Sequence, residues 1–389
     1  MKIITRNILI LSFVSLFNDI ASEMLYPVMP IYLKTIGFSI ILIGVLEGFA
    51  EATAGLSKGY FGNLSDNKGK RLPFIQIGYA FSAIAKPLTV MFIVPLWVFF
   101  ARSLDKLGKG VRTGARDALL SDEATPETKG QVFGFHRAMD TFGAVLGPTV
   151  ALIYLFYRPN DYKVLFFFAF FPGIITIALT FFIKEKQEVI IKQKTKTRLL
   201  DFIKYWKESP AIYRRLVAGL LVFALFNSSD VFLLLKIKEA GYNDATVIGA
   251  YIFYNLVYAC FSYPIGILAD KIGMKKIFIS GLILFALTYV GMAYAETKLA
   301  FIGLFFLYGV FSAATEGIAK AWITNICEKK NTATAIGTYT AFQSVVTLLA
   351  SSVAGLIWFY FGATSTFLLS GGIAFVVAIY ISRFPVKIN

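Results

Sequence analysis

The chain has 389 residues, of which 57% are hydrophobic and only 16% are charged. Soluble globular proteins carry about a quarter charged residues, so this composition excludes an ordinary water-soluble domain. The net charge of +15 in a membrane protein indicates basic loops on anionic lipid rather than nucleic-acid binding. Cys260 and Cys327 are the only cysteines, which excludes a disulfide framework and a cysteine-based metal site.

Twelve apolar runs follow one another along the chain. A bilayer core about 30 Å thick requires roughly 20 apolar residues per helix, and the sequence therefore predicts an all-α membrane protein with twelve transmembrane helices. The first run follows two cations as a signal peptide does, but its length and lack of a cleavage site predict that it is retained. The predicted spans are residues 7–33, 40–61, 72–94, 96–119, 131–156, 163–183, 213–235, 246–268, 277–295, 299–324, 334–360 and 364–383.

The connections between spans predict the orientation. One set of connections, with both termini, carries 23 lysines and arginines, and the opposite set carries six. The positive-inside rule therefore places both termini in the cytoplasm of a plasma-membrane protein. The basic segment 184–212 separates two six-span halves, residues 1–183 and 213–389. Polar residues recur every three positions from Arg198 to Lys207 beside apolar ones, which is typical of a helix on the membrane surface, or of a solvated basic linker.

A short motif occurs twice, 204 residues apart, each time after the second span of its half. Its members are Gly62, Asp66 and Gly69 in the first copy and Gly266, Asp270 and Gly273 in the second. A weaker repeat links Phe17-Asn18-Asp19 in span one with residues 226–230 in span seven. The two halves therefore resemble duplicated bundles.

The paired motif resembles the Gly-x-x-x-Asp-x-x-Gly-basic-basic signature of the major facilitator superfamily of secondary transporters. The resemblance covers nearly the whole chain and implies two pseudo-symmetric six-helix bundles around a midplane cavity. It implies that Asp66 caps a helix and pairs with a cation when the cytoplasmic side is closed. We expect Arg112 and Arg116 to be partners of Asp66 and Asp117 there. The predicted cytoplasmic gate comprises Gly62, Asp66, Gly69, Arg112, Arg116, Asp270 and Gly273.

Span five carries a second, partial match. Gly134, Gly143 and Gly147-Pro148 are similar to the span-five motif of the superfamily's antiporters, although Ala151-Leu152 replaces its usual Gly-Gly pair. The match favours export. The alternative is that small residues and a proline kink only allow close packing with another helix.

Span four carries charges where a lipid-facing helix cannot. Arg102, Asp105, Lys109, Arg112 and Arg116 are spaced by three or four residues, so they share one helical face. Each charge near the bilayer centre costs about 2.5–3.5 kcal/mol on insertion scales. This face is therefore predicted to line water or other charges.

Opposite charges occur in the neighbouring spans. Asp19 and Glu23 are four residues apart in span one, Glu47 and Glu51 are four apart in span two, and Lys86 lies in span three. With Lys106 and the inner residues of span four, these nine charges sum to −1. Such a balance suits a network that is remade as a cavity opens and closes, and the alternative is a structural ion-pair lattice.

The second half offers fewer polar groups. Glu316 and Lys320 are four residues apart in span ten and can neutralise each other. The further candidates for substrate binding or coupling are Asn227, Asp230 and Asn255. We therefore expect the charged part of a substrate to contact the first half and its neutral part the second.

Four residues are candidates for carrying a proton. His136, the only histidine, lies four residues before Asp140, and such a pair either titrates near neutral pH or anchors a helix end. Asp19 and Glu23 are favoured over it, because burial makes a carboxyl group harder to ionise.

These features predict a secondary transporter that moves a small solute with anionic groups by alternating access, coupled to protons or another ion as a symporter or antiporter. A monomer in contact with membrane lipids is expected, without cofactor, metal, catalytic residue or nucleic acid. One alternative is a drug-efflux antiporter that exports amphipathic or cationic compounds. A remote alternative is a non-transporting membrane sensor, which the lack of a sizeable soluble segment disfavours. No nucleophile, metal-ligand set or phosphate loop suggests an enzyme.

Overall fold

The computed structural model describes residues 3–185, 200–227 and 230–383 of the chain. Across these ranges the regular structure is helical, and no strand occurs in them. Residues 186–199 of the basic segment, with Arg198 of the predicted surface helix, lie outside the described residues. So do Ser228 and Ser229 of the span-seven repeat.

The first six predicted spans are confirmed as helices. Span one consists of two helices, because Pro27 has no N–H to bond the Glu23 carbonyl and its ring clashes with that carbonyl, so the first helix ends at Glu23. The helices are α1 (Arg6–Glu23), α2 (Met29–Thr35), α3 (Ile40–Lys68), α4 (Leu72–Met91), α5 (Pro95–Asp122), α6 (Lys129–Tyr157) and α7 (Tyr162–Thr180).

The last six predicted spans also correspond to helices. In span seven, α9 ends at Phe226 and is followed by Asn227 in an extended conformation. Spans eleven and twelve are two helical segments, together called α14, which are separated by a kink at Gly362, whose φ of 80° is unfavourable for other residues. The helices are α8 (Asp201–Glu208), α9 (Ala211–Phe226), α10 (Asp230–Glu239), α11 (Asp244–Ile272), α12 (Met274–Tyr294), α13 (Lys298–Ile326) and α14 (Thr332–Ser382), with a 3₁₀ turn at Lys329–Asn331 before α14.

Eight helical segments of the described residues are long and apolar enough to cross a membrane. Helix α5 is not among them, because it carries the charges that the sequence predicts to lie on one face. Its charged residues therefore need polar partners inside the protein.

The chain divides into two compact units, and each contains helices from both halves of the sequence. One unit comprises Met1–Thr125, Met139–Ser209 and Cys327–Ser344, and the other comprises Pro126–Ala138, Pro210–Ile326 and Val345–Asn389. In the first unit, α4 and α5 approach closely because Gly78 and Gly108 face each other: a Cβ on Gly78 would lie 2.7 Å from the Gly108 carbonyl oxygen.

Helix α8, in the first unit, packs one face against α3 and α14. The ring of Phe202 occupies the position that a side chain on Gly59 would take, with its Cγ 2.6 Å from the ideal Cβ. Thr338 donates a hydrogen bond to the Phe202 carbonyl at 3.2 Å, and Trp206 packs on Phe342. The apolar residues of α8 therefore attach it to α3 and α14.

Candidate functional site

Two ion pairs join α3 to α5 in the first unit. Arg102 Nη2 lies 2.7 Å from Glu47 Oε1, and Arg102 Nε donates to the same oxygen at 3.0 Å. One turn further along both helices, Lys106 pairs with Glu51. Because each helix contributes residues four positions apart, the pairs form two parallel rungs, called here the α3–α5 ladder. The cation side chains are 12% and 15% exposed, whereas those of Glu47 and Glu51 are 36% and 45% exposed, so the cation is the more buried member of each pair.

More polar residues surround this ladder. Asp105 Oδ2 lies 3.5 Å from Arg102 Nη1. The buried Lys86 donates to the Ser82 carbonyl at 2.9 Å, and the charge of Asp105 acts on it across the α4–α5 contact. Lys109 is the exposed cation of this face, and it interacts electrostatically with Glu51 and with Asp19 of α1. The structure thus brings the predicted acids of spans one and two to the bases of spans three and four.

The remaining two arginines of α5 lie in a buried polar layer. Arg112 Nη1 donates to Ser82 Oγ at 2.6 Å, and its guanidinium lies 4.5 Å from the centre of the Tyr79 ring. Arg116 pairs with Asp117 at 2.9 Å and also donates to Ser15 at 3.3 Å. Arg112 contacts Ser82 and Tyr79 rather than the predicted gate residue Asp66. The close α4–α5 approach at Gly78 and Gly108 directs Arg112 toward α4 instead.

Two acids meet where α1 crosses α6. The carboxyl groups of Asp19 and Asp140 lie within hydrogen-bonding reach of each other, and Ser15 donates to Asp140 Oδ1. Asp140 is 6% exposed, whereas Asp19 and Glu23 are half-buried. His136 is also buried on α6 but belongs to the other compact unit.

Asp66 binds the amino terminus of α14. Its Oδ2 accepts hydrogen bonds from the Thr334 amide and hydroxyl, both at 2.6 Å, and its Oδ1 accepts from the Ala333 amide at 3.3 Å. The amino end of a helix carries partial positive charge and unpaired N–H groups, so a carboxylate is stabilised there. Asp66 is 4% exposed. The helix-capping role that the resemblance implies therefore has a direct geometric counterpart.

The cation that pairs with Asp66 is Arg71, from the basic end of the same motif. Arg71 Nη1 lies 2.5 Å from Asp66 Oδ1, and its Nε lies 3.8 Å from Asp122 Oδ2. Burial disfavours the charged guanidinium, but the Asp66 and Asp122 carboxylates outweigh it and raise the pKa of Arg71. The resemblance implies a cation from another span, whereas the partner is Arg71, a residue of the motif itself.

Asp270 repeats this arrangement in the second unit. Its two oxygens accept from the amides of Gly130 and Gln131, both at 2.7 Å, at the second and third residues of α6. Asp66 binds the second and third residues of α14, so the two copies of the motif use equivalent positions. In the described part of the chain, Asp270 forms no salt bridge.

The motif glycines allow these contacts. A Cβ on Gly62 would lie 2.5 Å from the Ala333 carbonyl oxygen, so a larger residue would push α14 away from Asp66. Gly69 ends α3 with φ of 60°, and Gly273 separates α11 from α12 with φ of 101°. Left-handed backbone of this kind favours glycine.

The second-half candidates occupy two places in the second unit. Asp230 begins α10 and accepts hydrogen bonds from the hydroxyls of Tyr254 and Tyr308. Asn227 ends α9, and the buried Asn255 donates to the Tyr251 carbonyl at 3.0 Å.

Glu316 pairs with Arg137 of α6, whose guanidinium also contacts the Tyr258 ring and hydroxyl. The mutual neutralisation of Glu316 and Lys320 stays a prediction. Arg137 is a residue that the sequence analysis missed. Its position next to His136, near the start of a span, gave no signal of a partner on α13.

Comparisons with known proteins agree on one family. The profile of the Major Facilitator Superfamily matches residues 11–254 and 237–387. An uncharacterized MFS-type transporter of Methanocaldococcus jannaschii is 32% identical over 361 residues, which cover 91% of this chain and 89% of that protein. The multidrug resistance protein MdtG of Escherichia coli is 22% identical, with 96% and 93% of the two chains covered.

A solved structure has the same fold. The human organic anion transporter MFSD10 superposes with a TM-score of 0.80 over 97% of this chain and 99% of its own, at 14% sequence identity. This likeness confirms the predicted twelve-helix fold in two pseudo-symmetric six-helix bundles.

Proposed function

Because the chain belongs to the major facilitator superfamily of transporters, we propose that it moves a small solute with an anionic group by alternating access, coupled to protons. It is a multi-pass membrane transporter rather than an enzyme. The observation that carries the proposal is the α3–α5 ladder, in which intramembrane cations are held by acids that another anion can replace.

Lys109 and Lys106 are the residues proposed to bind the anionic group of the substrate. Lys109 is exposed. Lys106 is paired with Glu51, whose side chain is 45% exposed while that of Lys106 is only 15% exposed. Glu51 therefore lies on the more accessible side of the pair, where a carboxylate or phosphate of the substrate can displace it. Arg102 is held by both carboxylate oxygens of Glu47 and remains a structural part of the ladder.

Alternating access requires contacts that form in one state and break in the other. We propose that the Asp66–α14 and Asp270–α6 contacts are such contacts and close the cytoplasmic side of a plasma-membrane protein whose termini are both cytoplasmic. Each one joins helices from different halves of the sequence. In each contact, an aspartate carboxylate binds a helix amino terminus. This interaction is non-covalent, so it can form and break reversibly.

A thermal-shift screen of the purified protein against a panel of carboxylates and sugar phosphates, at two pH values, tests the anion proposal. A compound found in this way should bind the Lys109→Gln variant at least about tenfold more weakly, because each 1.4 kcal/mol of lost interaction is a factor of ten. Lys163→Gln, which removes an exposed lysine at the start of α7, is the matched control. Equal losses for an anionic compound and its neutral analogue in Lys109→Gln would contradict anion recognition.

A second candidate function is export of cationic or amphipathic compounds by proton antiport. The similarity to the multidrug resistance protein MdtG favours it, and Asp19 and Glu23 would then bind the substrate cation. Vesicles with an acidic interior should accumulate a cationic dye if the protein works in this way. An anion transporter would leave the dye outside.

A further inference from the structure

Glycines on α6 bring two acids together across the α1–α6 crossing. A Cβ on Gly143 would lie 2.5 Å from the Leu16 carbonyl oxygen and 3.0 Å from the Asp19 Cβ. A Cβ on Gly147, one turn further, would lie 2.7 Å from the Ile20 carbonyl oxygen. The two backbones are therefore in contact at this crossing, and the side chain of Asp19 is held against α6.

The hydrogen bonds at this crossing fix the two carboxyl groups. The carboxyl groups of Asp19 and Asp140 lie within hydrogen-bonding reach of each other. Ser15 donates to Asp140 Oδ1, and Asn18 donates to Asp19 Oδ1 at 3.0 Å. An ionised carboxylate has only acceptors, so two carboxyl groups can bond to each other only when one of them is protonated. The same situation is found in pairs of acids that share one site and titrate as a unit.

We propose that Asp19 and Asp140 form a single proton-binding site, an acid–carboxylate pair that holds one proton between α1 and α6. The proposal rests on the proposed proton coupling and assigns the coupled proton to a pair rather than to one residue. Release breaks one O–H bond, transfers the proton to water and leaves two carboxylates. Their repulsion then favours separation of α1 from α6, so the charge of the pair is linked to a helix contact.

Cations on two further helices face this pair and set its response to a substrate. The charges that act on Asp19 are Glu23 on α1, Lys86 on α4, and Lys109 and Arg112 on α5, while Arg116 on α5 acts on Asp140. Lys109 also acts on Glu51 of the ladder. An anion bound at Lys109 offsets a charge that stabilises ionised Asp19. Anion and proton should therefore bind together, which is the sign required for symport.

Infrared spectroscopy of the purified full-length protein in lipid nanodiscs, recorded as acid-minus-base difference spectra in water and deuterium oxide, detects this proton without any substrate. The wild type should show a protonated-carboxyl band that titrates. Asp19→Asn and Asp140→Asn should each shift or abolish this same band, and the double variant should lack it. Asp161→Asn, which removes an acid in the α6–α7 connection, is the control and should leave it unchanged.

The outcomes distinguish one shared proton site from two carboxyl groups that titrate independently. A band that persists unaltered in either single variant, or that is absent from the wild type, would overturn the shared site. Thermal unfolding of each variant verifies that the fold is intact, and a variant that does not fold is replaced by Ser15→Ala, which removes the donor to Asp140 and should shift the same band. An unshifted band in Ser15→Ala would overturn the pair.

Proton-driven uptake into proteoliposomes is measured separately from the infrared band. A titrating carboxyl band in a protein without proton-driven uptake would contradict proton coupling. Proton-driven uptake by a protein without this band would contradict the shared Asp19–Asp140 site.

Discussion

Replacing Asp66 with asparagine tests the contact between α3 and α14 directly. The substitution keeps the size of the side chain and one carbonyl oxygen, which can still accept from the Thr334 amide. It removes the negative charge that pairs with Arg71 at 2.5 Å and that stabilises the α14 amino terminus. We expect the α3–α14 contact to open more often while the membrane helices remain folded.

The effect has two parts, one on overall stability and one on the α3–α14 contact. Removing one partner of a buried ion pair costs about 3–5 kcal/mol, because the other charge stays buried. The Arg71 side chain is 6% exposed, but Asp122 remains 3.8 Å from its Nε, which favours the lower end of that range for the loss of overall stability. Arg71 lies on the same side of the contact as Asp66, so the contact itself loses only the helix-terminus interaction of up to about 2 kcal/mol, a shift of up to roughly thirtyfold between closed and open contact.

Cross-linking between α3 and α14 measures this equilibrium. A Cβ on Gly55 would lie 3.0 Å from the Ser344 Cβ, close to the separation of about 3.5–4.5 Å found in disulfides. A Gly55→Cys/Ser344→Cys pair in a background without Cys260 and Cys327 should therefore oxidise readily.

Adding Asp66→Asn to this pair should slow oxidation markedly, and adding Asp161→Asn should not. Unchanged oxidation rates after Asp66→Asn, with the same thermal stability, would refute the reasoning that the charge of Asp66 holds the two helices together.

Three further outcomes follow from the contacts described above. Asp270→Asn should lower the thermal unfolding midpoint less than Asp66→Asn does, since Asp270 loses only a helix-terminus interaction worth up to about 2 kcal/mol; an equal or larger decrease would contradict this. Phe202→Ala should raise the hydrogen-exchange rate of the α8 amides, because its ring is the main contact with Gly59, and unchanged protection would show that other contacts hold α8. Gly143→Ala should destabilise the protein by about 1–3 kcal/mol in thermal or denaturant unfolding, since its Cβ would overlap the backbone of α1; a neutral effect would mean that α1 moves aside freely.

The sequence predicted the fold well because apolar length and loop charge are local properties. All twelve spans have matching helices, and the break at Gly362 falls between two predicted runs. The interruption of span one was not predicted, although Pro27 provides a physical reason for it. A proline inside a long apolar run is often tolerated in membrane helices, so the residue alone does not reveal a break.

The site was predicted less completely, because periodicity gives the face of a helix but not the neighbour that it meets. The spacing of Arg102 and Arg112 placed them on one face, yet Arg102 contacts α3 and Arg112 contacts α4. The helix that each arginine contacts depends on where glycines allow two helices to approach closely. Predicting this requires knowing which helices are neighbours. The Arg137–Glu316 pair lies 179 residues apart in sequence and had no local signal.

The capping of α14 by Asp66 also affects how the protein is made. Asp66 and Thr334 are separated by 268 residues, so at about 5–20 residues per second the ribosome needs roughly 15 to 50 seconds to supply the second after the first. Throughout that interval the cations near Asp66 are those of its own motif, Lys68, Lys70 and Arg71. Arg71 can therefore balance the charge of Asp66 before α14 has been synthesised, and it still pairs with Asp66 in the folded protein.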